Sequence, residues 1–285
     1  MEDQKILRLK KIANDVRLSI IEEVYNAKSG HPGGALSAAD IITCLYFDEM
    51  NIDPKNPLLP TRDRFVLSKG HSCPALYAAM ALRGYFDVSE LKKFRHLGSI
   101  TSGHPDMKIL KGIDMSAGSL GQGFSCACGI ALAAKIDKLD YRTYVMIGDG
   151  ESQEGQIWEA TMFAAHYKLD NLCLIIDNNG LQIDGKVKDV MNTMPYASKF
   201  KSFGWNTISI DGNNIEQILS AFKQAKEVKG KPTVIIAKTI KGKGVSYMEN
   251  VASWHGKAPN DEQYQIAIND LNAIAKKLDE VIEYV

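Results

Sequence analysis

Apolar residues Ile6, Leu9, Ala13, Val16, Ile20 and Val24 recur at helical spacing, which predicts a first amphipathic helix. It ends where the stretch from Asn26 to Gly34 brings in glycine and proline. Helical spacing resumes from Ser37 to Met50, and Pro54, Pro57 and Pro60 then exclude regular structure between Asn51 and Arg62. The short run Arg64 to Leu67 reads as a buried strand. Helical stretches follow near Cys73 to Arg83 and Ser89 to Phe94, and a loop-like passage runs from His96 to Ser119. A loop of that length in a folded chain points to function. Gly121 to Lys135, rich in glycine, alanine, serine and cysteine, predicts a helix packed closely on most sides.

From there the pattern alternates between short β-branched runs and helices. Strands are predicted at Thr143 to Ile147, Leu172 to Ile176, Asn206 to Ile210 and Thr233 to Ala237, with helices at Gly155 to Tyr167 and Ile215 to Ala225. Apolar strands separated by helices imply an α/β fold with an open, mostly parallel sheet covered by helices on both faces. A last helix places Tyr264, Ile268, Leu271, Ala275, Leu278 and Ile282 on one stripe. No repeat or linker interrupts residues 1–285, which read as one domain.

Composition narrows the partners. Lysine plus arginine and aspartate plus glutamate number 34 each, so no summed field draws the chain onto nucleic acid or anionic lipid, and a small-molecule substrate is expected. No apolar run nears the roughly 18 residues of a membrane span, and the opening residues form no basic-then-apolar leader. A cytoplasmic location is expected. Cys44, Cys73, Cys126, Cys128 and Cys173 form no Cys-x-x-Cys pair and are expected to be reduced and buried. Lys241-Gly242-Lys243-Gly244 is a weak nucleic-acid footprint in a neutral chain and reads instead as a mobile loop near the active site.

In an open parallel sheet, ligands bind beyond the carboxyl ends of the strands, where helix N-termini offer free N–H groups to an anion. Two loops stand there. Gly148-Asp149-Gly150 follows the strand ending at Ile147, and Asp177-Asn178-Asn179 follows the strand ending at Ile176. Either alone reads equally as a turn. Together they can assemble the oxygen ligands that Mg2+ demands: the carboxylate of Asp149, with the amide oxygen of Asn179 and the main-chain carbonyl of Leu181 as neutral ligands. Gly150, without a side chain, lets phosphate approach the backbone. The Gly-Asp-Gly, 27 intervening residues and the Asn-Asn match the fingerprint of thiamine diphosphate enzymes.

Four histidines narrow the resemblance further. They stand in Ser29-Gly30-His31-Pro32-Gly33, Ser68-Lys69-Gly70-His71, Ser102-Gly103-His104-Pro105 and Trp254-His255-Gly256. With Gly118-Ser119-Leu120-Gly121-Gln122-Gly123 and Gly148-Asp149-Gly150-Glu151-Ser152-Gln153-Glu154-Gly155, these segments resemble the N-terminal domain of transketolases over nearly the whole chain. The resemblance implies a thiamine diphosphate-binding fold. It also implies cofactor contacts from His71, the backbone of Gly118, Ser119 and Leu120, Gly150, Asn179 and His255, with Asp149, Asn179 and Leu181 on Mg2+. His31, His104 and His255 would face the sugar, and imidazoles suit that work because their ordinary pKa lies near neutrality. Glu154 resembles the family's glutamate at the interface with the neighbouring subunit, which implies a subunit-contact and proton-relay role; a helix-start glutamate favoured by the macrodipole is an alternative of at least equal weight.

Two departures from the family pattern stand out. Many transketolases have proline where this chain has Ser119, which changes loop stiffness but leaves the backbone groups available. The sequence also runs only about one helix beyond His255, whereas a full-length transketolase continues through a pyrimidine-binding and a C-terminal domain. The expectation is therefore the N-terminal member of a two-chain transketolase, a heterotetramer of two of each chain, acting on sugar phosphates, with the pentose phosphates and other sugars both open. Other thiamine enzymes share the two loops, among them the α-chains of ketoacid dehydrogenases and the deoxyxylulose phosphate synthases, and a non-catalytic paralogue is a further alternative. The histidine loops favour transketolase, because a sugar offers hydroxyls for imidazoles to bind.

Overall fold

The computed structural model describes residues 2–283 of the chain, with side chains for residues 3–281. Helix α1 (Glu2–Asn26) leads to α2 (Pro32–Cys44), which widens into a π-turn over Leu45–Glu49. Then come β1 (Arg64–Leu67), α3 (Cys73–Arg83), α4 (Gln122–Asp137), β2 (Thr143–Gly148), α5 (Gly155–His166) and β3 (Leu172–Asn178). Two-residue strands β4 (Leu181–Gln182) and β5 (Gly185–Lys186) make a small antiparallel hairpin ahead of α6 (Val187–Val190) and α7 (Tyr196–Ser202). The chain continues through β6 (Asn206–Asp211), α8 (Ile215–Glu227), β7 (Thr233–Lys238) and α9 (Asp261–Glu283).

Five strands form one sheet in the order β1-β2-β3-β7-β6, with every neighbouring pair parallel. Successive side chains point to opposite faces, and both faces are apolar. Tyr144, Met146, Cys173, Ile175 and Ile235 join α1, α2, α3 and α8 on one side. Val145, Ile147, Leu174, Ile176 and Val234 join α4, α5 and α7 on the other. Helix α9 lies against α1 and buries Ala267 and Leu271 of the apolar side, while Ile282 of the expected stripe falls outside the described side chains. Leu174, buried at the centre of the middle strand between Val145 and Val234, is a sensitive core position. Leu174→Ala is expected to cost about 3 kcal/mol of unfolding free energy in a denaturant titration, from lost burial and the cavity left behind.

Several boundaries differ from the sequence expectation for identifiable reasons. Helix α2 starts at Pro32, five residues before Ser37, because proline at the first helical positions sacrifices no hydrogen bond. Gly33 and Gly34, which look like breakers, sit inside the helix because nothing larger fits: a Cβ on Gly33 would lie 2.8 Å from the Trp254 carbonyl oxygen, and one on Gly34 2.9 Å from Ser72 Oγ. Helix α4 is buried on one face only; Phe124, Ala127, Cys128, Ala131 and Ala134 pack inward, whereas Gly129 and Ile136 are exposed. The passage from His96 to Ser119 holds no helix or strand and is pinned by side chains. Asp114 pairs with Arg62 at 2.5 Å and accepts from the Phe65 amide, and Tyr77 donates to the His104 carbonyl at 3.0 Å. All five cysteines are free, and four are buried. No helix among the described residues is long and apolar enough to cross a membrane.

Candidate active site

The carboxyl ends of β2 and β3 bring the two expected loops together. Asp149 directly follows β2, and Gly150 opens a single 3-10 turn that leads into α5. Beyond β3, the amide of Gly180 donates to Asp149 Oδ2 at 2.5 Å, which ties the second loop to the first. The Tyr196 hydroxyl donates to Asp149 Oδ1 at 3.1 Å and shares hydrogen bonds with Ser152 and Thr193. Asp149 is only 2% exposed. Burial pushes its carboxyl up to about 7; the hydrogen bond from Gly180 opposes this, and the nearby charge of Asp177 reinforces it. Asn179 Oδ1 accepts from the Leu181 amide at 3.1 Å, and Asp149, Asn179 and Leu181 line one cavity of about 340 Å³.

A charged platform lies beneath that cavity. Lys69, buried, donates to the Gly34 carbonyl at 2.8 Å and pairs with Asp177, which also accepts from Ser37 at 2.6 Å and from Thr239. Burial opposes the charge on Asp177, but the Lys69 ammonium and these hydrogen bonds outweigh it and hold the carboxyl below its ordinary value. Glu151 forms a second clamp. It accepts from Ser68 Oγ, from the Gly121 amide at 2.9 Å and from the Gly148 amide at 3.2 Å, fastening the Gly-Asp-Gly loop to the start of α4.

Three imidazoles form one wall. The rings of His31 and His71 are 5.1 Å apart, those of His71 and His255 5.0 Å, and those of His31 and His255 5.5 Å. Burial, and then neighbouring cations, lower all three. His31 falls to about 4 through burial, Arg95 and His104; His255 falls to about 3 through burial and Lys241; His71 lies well below its ordinary value through burial and Lys69. At neutral pH the wall is uncharged. For a histidine with a depressed folded-state pKa, the unfolded chain takes up protons first as pH falls. Stability is therefore complete above the ordinary value near 6.5 and is lost as pH falls through about 4 for His31. A series of unfolding curves between pH 7 and pH 4 is expected to show this decline, and His31→Gln is expected to flatten it.

The cavity gathers His31, His71, Gly118, Leu120, Asp149, Gly150, Glu154, Asn179, Leu181 and His255 from the sequence expectation. His104 stands just outside, exposed, with its ring about 3.4 Å from where a Gly118 Cβ would be. Ser119 does not line the cavity; its carbonyl accepts from the Gln122 amide at the start of α4. Glu154 is exposed at the cavity edge and, although it stands at the N-cap of α5, its side chain makes no capping hydrogen bond. Sequence reasoning assigned no role to Lys69, Arg95, Glu151, Asp177, Tyr196 or Lys241. Lys69 lies in the same loop as His71, and that was the signal available. Lys241 belongs to the glycine-lysine run expected to be mobile. The run does lie beside the site, but it is tied down: the Gly242 amide donates to the Gly33 carbonyl, the Asn250 amide donates to the Lys241 carbonyl, and Lys241 is 2% exposed.

Residues 8–273 match the family profile described as transketolase, thiamine diphosphate binding domain. The 6-deoxy-6-sulfo-D-fructose transketolase subunit SqwG of Clostridium sp. (strain MSTE9) is 47% identical over 271 residues, spanning 95% of this chain and 98% of that protein. An apulose-4-phosphate transketolase subunit of Phocaeicola vulgatus is 44% identical over 263 residues, 92% of this chain and 93% of that protein. The transketolase of Homo sapiens is 44% identical over 257 residues, which cover 90% of this chain but 41% of its own length. Among solved structures, the transketolase of Campylobacter jejuni superposes with a TM-score of 0.87 at 36% identity, covering 95% of this chain and 45% of that one. The chain thus spans under half of these longer transketolases and nearly all of the two proteins named as subunits.

Proposed function

This chain belongs to the transketolase family through its thiamine diphosphate binding domain, and from that premise we propose that it works with a separate C-terminal transketolase chain, which carries the pyrimidine-binding half, to transfer a two-carbon ketol unit from a ketose phosphate to an aldose phosphate. The observation that carries the reading is the meeting, in one cavity, of the Asp149 loop, the Asn179 loop and three neutral imidazoles.

The donor set suits Mg2+. Asp149 is a buried carboxylate whose charge is disfavoured without a counter-ion, and Asn179 and the Leu181 carbonyl add neutral oxygens of the hard kind that Mg2+ selects. When bound, thiamine diphosphate supplies a thiazolium carbon that can act as a carbanion toward a ketose carbonyl. The chain's own part is to bind, aim and shield. His71, Gly150 and the backbone of Gly118, Ser119 and Leu120 hold the cofactor. His31, His104 and His255 hydrogen-bond sugar oxygens through their neutral rings. Glu154, exposed at the cavity edge, meets the partner chain and relays protons there.

Two of the relatives carry the word subunit in their names, which supports a partner chain here; two copies of each chain in the assembly belong to the proposal alone. Ile183, which lines the cavity yet is 66% exposed, is an apolar rim residue suited to cover by that partner. The substrates in the names of those relatives, 6-deoxy-6-sulfofructose and apulose 4-phosphate, put donors of those kinds among the candidates. The test is a donor panel on the reconstituted pair: xylulose 5-phosphate, apulose 4-phosphate, 6-deoxy-6-sulfofructose and pyruvate. Transfer from a sugar and none from pyruvate is expected. Turnover of pyruvate alone would replace the transketolase reading with another thiamine chemistry.

A further inference from the structure

His31 and His255 each meet a cation on the same ring edge. Lys241 Nζ lies 2.8 Å from His255 Nδ1, and Arg95 Nη2 lies 3.3 Å from His31 Nδ1. Ammonium and guanidinium groups have donors and no acceptor, so the Nδ1 that meets either one must present its lone pair. In a neutral imidazole the remaining proton then sits on Nε2, and neither Nε2 has a hydrogen-bond partner among the described residues. We propose that Lys241 and Arg95 are positioning residues, which lock His255 and His31 as Nε2–H tautomers and so convert both rings into hydrogen-bond donors toward the cavity.

Both cations are held in place by the fold. Lys241 is buried between Gly33 and His255, and its loop closes only because Gly242 adopts φ +78°; a Cβ there would lie 2.4 Å from the Met248 carbonyl oxygen. Arg95, itself at φ 62°, is anchored by Nη1 donating to Ser29 Oγ at 2.7 Å, and Gly103 packs against its Nε. Burial first, and then the same charges, disfavour imidazolium and keep both rings neutral. A donor on each ring suits a carbonyl or hydroxyl oxygen that gains negative charge, whereas a lone pair facing the same atom would repel it.

What the two donors act on rests on the ketol-transfer reading; the tautomers themselves do not, and the experiment keeps them apart. Full-length chain labelled with 15N-histidine is examined at pH 7 by two-bond proton–nitrogen correlation, with His31→Gln and His255→Gln assigning the signals. The expected result is protonated Nε2 and bare Nδ1 on both rings. Protonated Nδ1 on either ring in the unaltered chain overturns the proposal for that ring. Lys241→Met is expected to release the His255 tautomer, Arg95→Met that of His31, and Lys241→Arg and Arg95→Lys to restore them; tautomers unchanged in the methionine variants overturn it. With the partner chain present, each methionine variant should lose about 10- to 100-fold in kcat, the range typical of groups that orient an imidazole. A chain with the expected tautomers that transfers no ketol unit from any sugar would remove the functional reading and leave the positioning role standing.

Discussion

Asp149→Ala is expected to abolish Mg2+-dependent binding of thiamine diphosphate by the assembled enzyme while leaving the fold intact. Asp149 is the only carboxylate among the three proposed metal ligands, and the loss of a charged ligand to a hard cation is worth several kcal/mol, which corresponds to an affinity loss of about 100-fold or more. The fold should tolerate the change. The carboxyl is buried with its charge disfavoured, and Tyr196, which would lose one acceptor, keeps its hydrogen bonds to Ser152 and Thr193. The Gly180 amide also loses its acceptor, but Gly180 is exposed and water can take that place, so removing the carboxylate leaves few unpaired groups. Calorimetric titration of the cofactor with and without Mg2+ measures the effect, and an affinity equal to that of the unaltered enzyme would reject the metal assignment. Circular dichroism and thermal unfolding of the variant separate a lost ligand from a lost fold.

Purified alone, the chain is expected to transfer no measurable ketol unit, and adding its C-terminal partner should restore turnover from zero. Among the described residues, the cavity wall holds Asp149, the three imidazoles and the buried lysines, but its edge exposes Glu154 and Ile183. In transketolases the glutamate that protonates the pyrimidine ring belongs to the pyrimidine-binding domain of the neighbouring protomer, and Glu154 would meet the partner at this edge. Coupled-enzyme assay of the chain, of the partner and of their mixture reads the outcome directly. Full activity from the chain by itself would remove the two-chain proposal. Glu154→Gln offers a finer check: activity of the mixture should fall while its assembly, followed by sedimentation, persists.

The alternation of apolar runs and helices located the strands of the sheet to within a residue or two: β2, β3 and β7, buried on both faces, are apolar along nearly their whole length, and the half-exposed edge strand β6 still carries Thr207, Ile208 and Ile210. The loops at Asp149 and Asn179 were legible for the same reason: once the strand ends were known, the general chemistry of open parallel sheets placed ligands beyond them. Short-range signals misled where packing overrode them. Gly33 and Gly34 read as breakers but serve as close-approach positions inside α2, and the two-residue hairpin of β4 and β5 is too short to carry any period.

The sequence by itself therefore determined the α/β architecture, the two converging loops and the four histidines as the chemical inventory. Only the tertiary structure decided which charges enter the site. Lys69, Arg95, Glu151, Asp177 and Lys241 look in sequence like residues destined for solvent, since burying a charge is costly unless a partner offsets it. Those partners are Asp177 for Lys69, the nearby carboxylates of Asp177 and Asp149 for Lys241, the Ser29 hydroxyl for Arg95 and the Gly121 and Gly148 amides for Glu151, and they come from segments distant in sequence or from backbone groups, so no local pattern announces them. The protonation states of the histidine wall follow from those same burials, and hence from the fold.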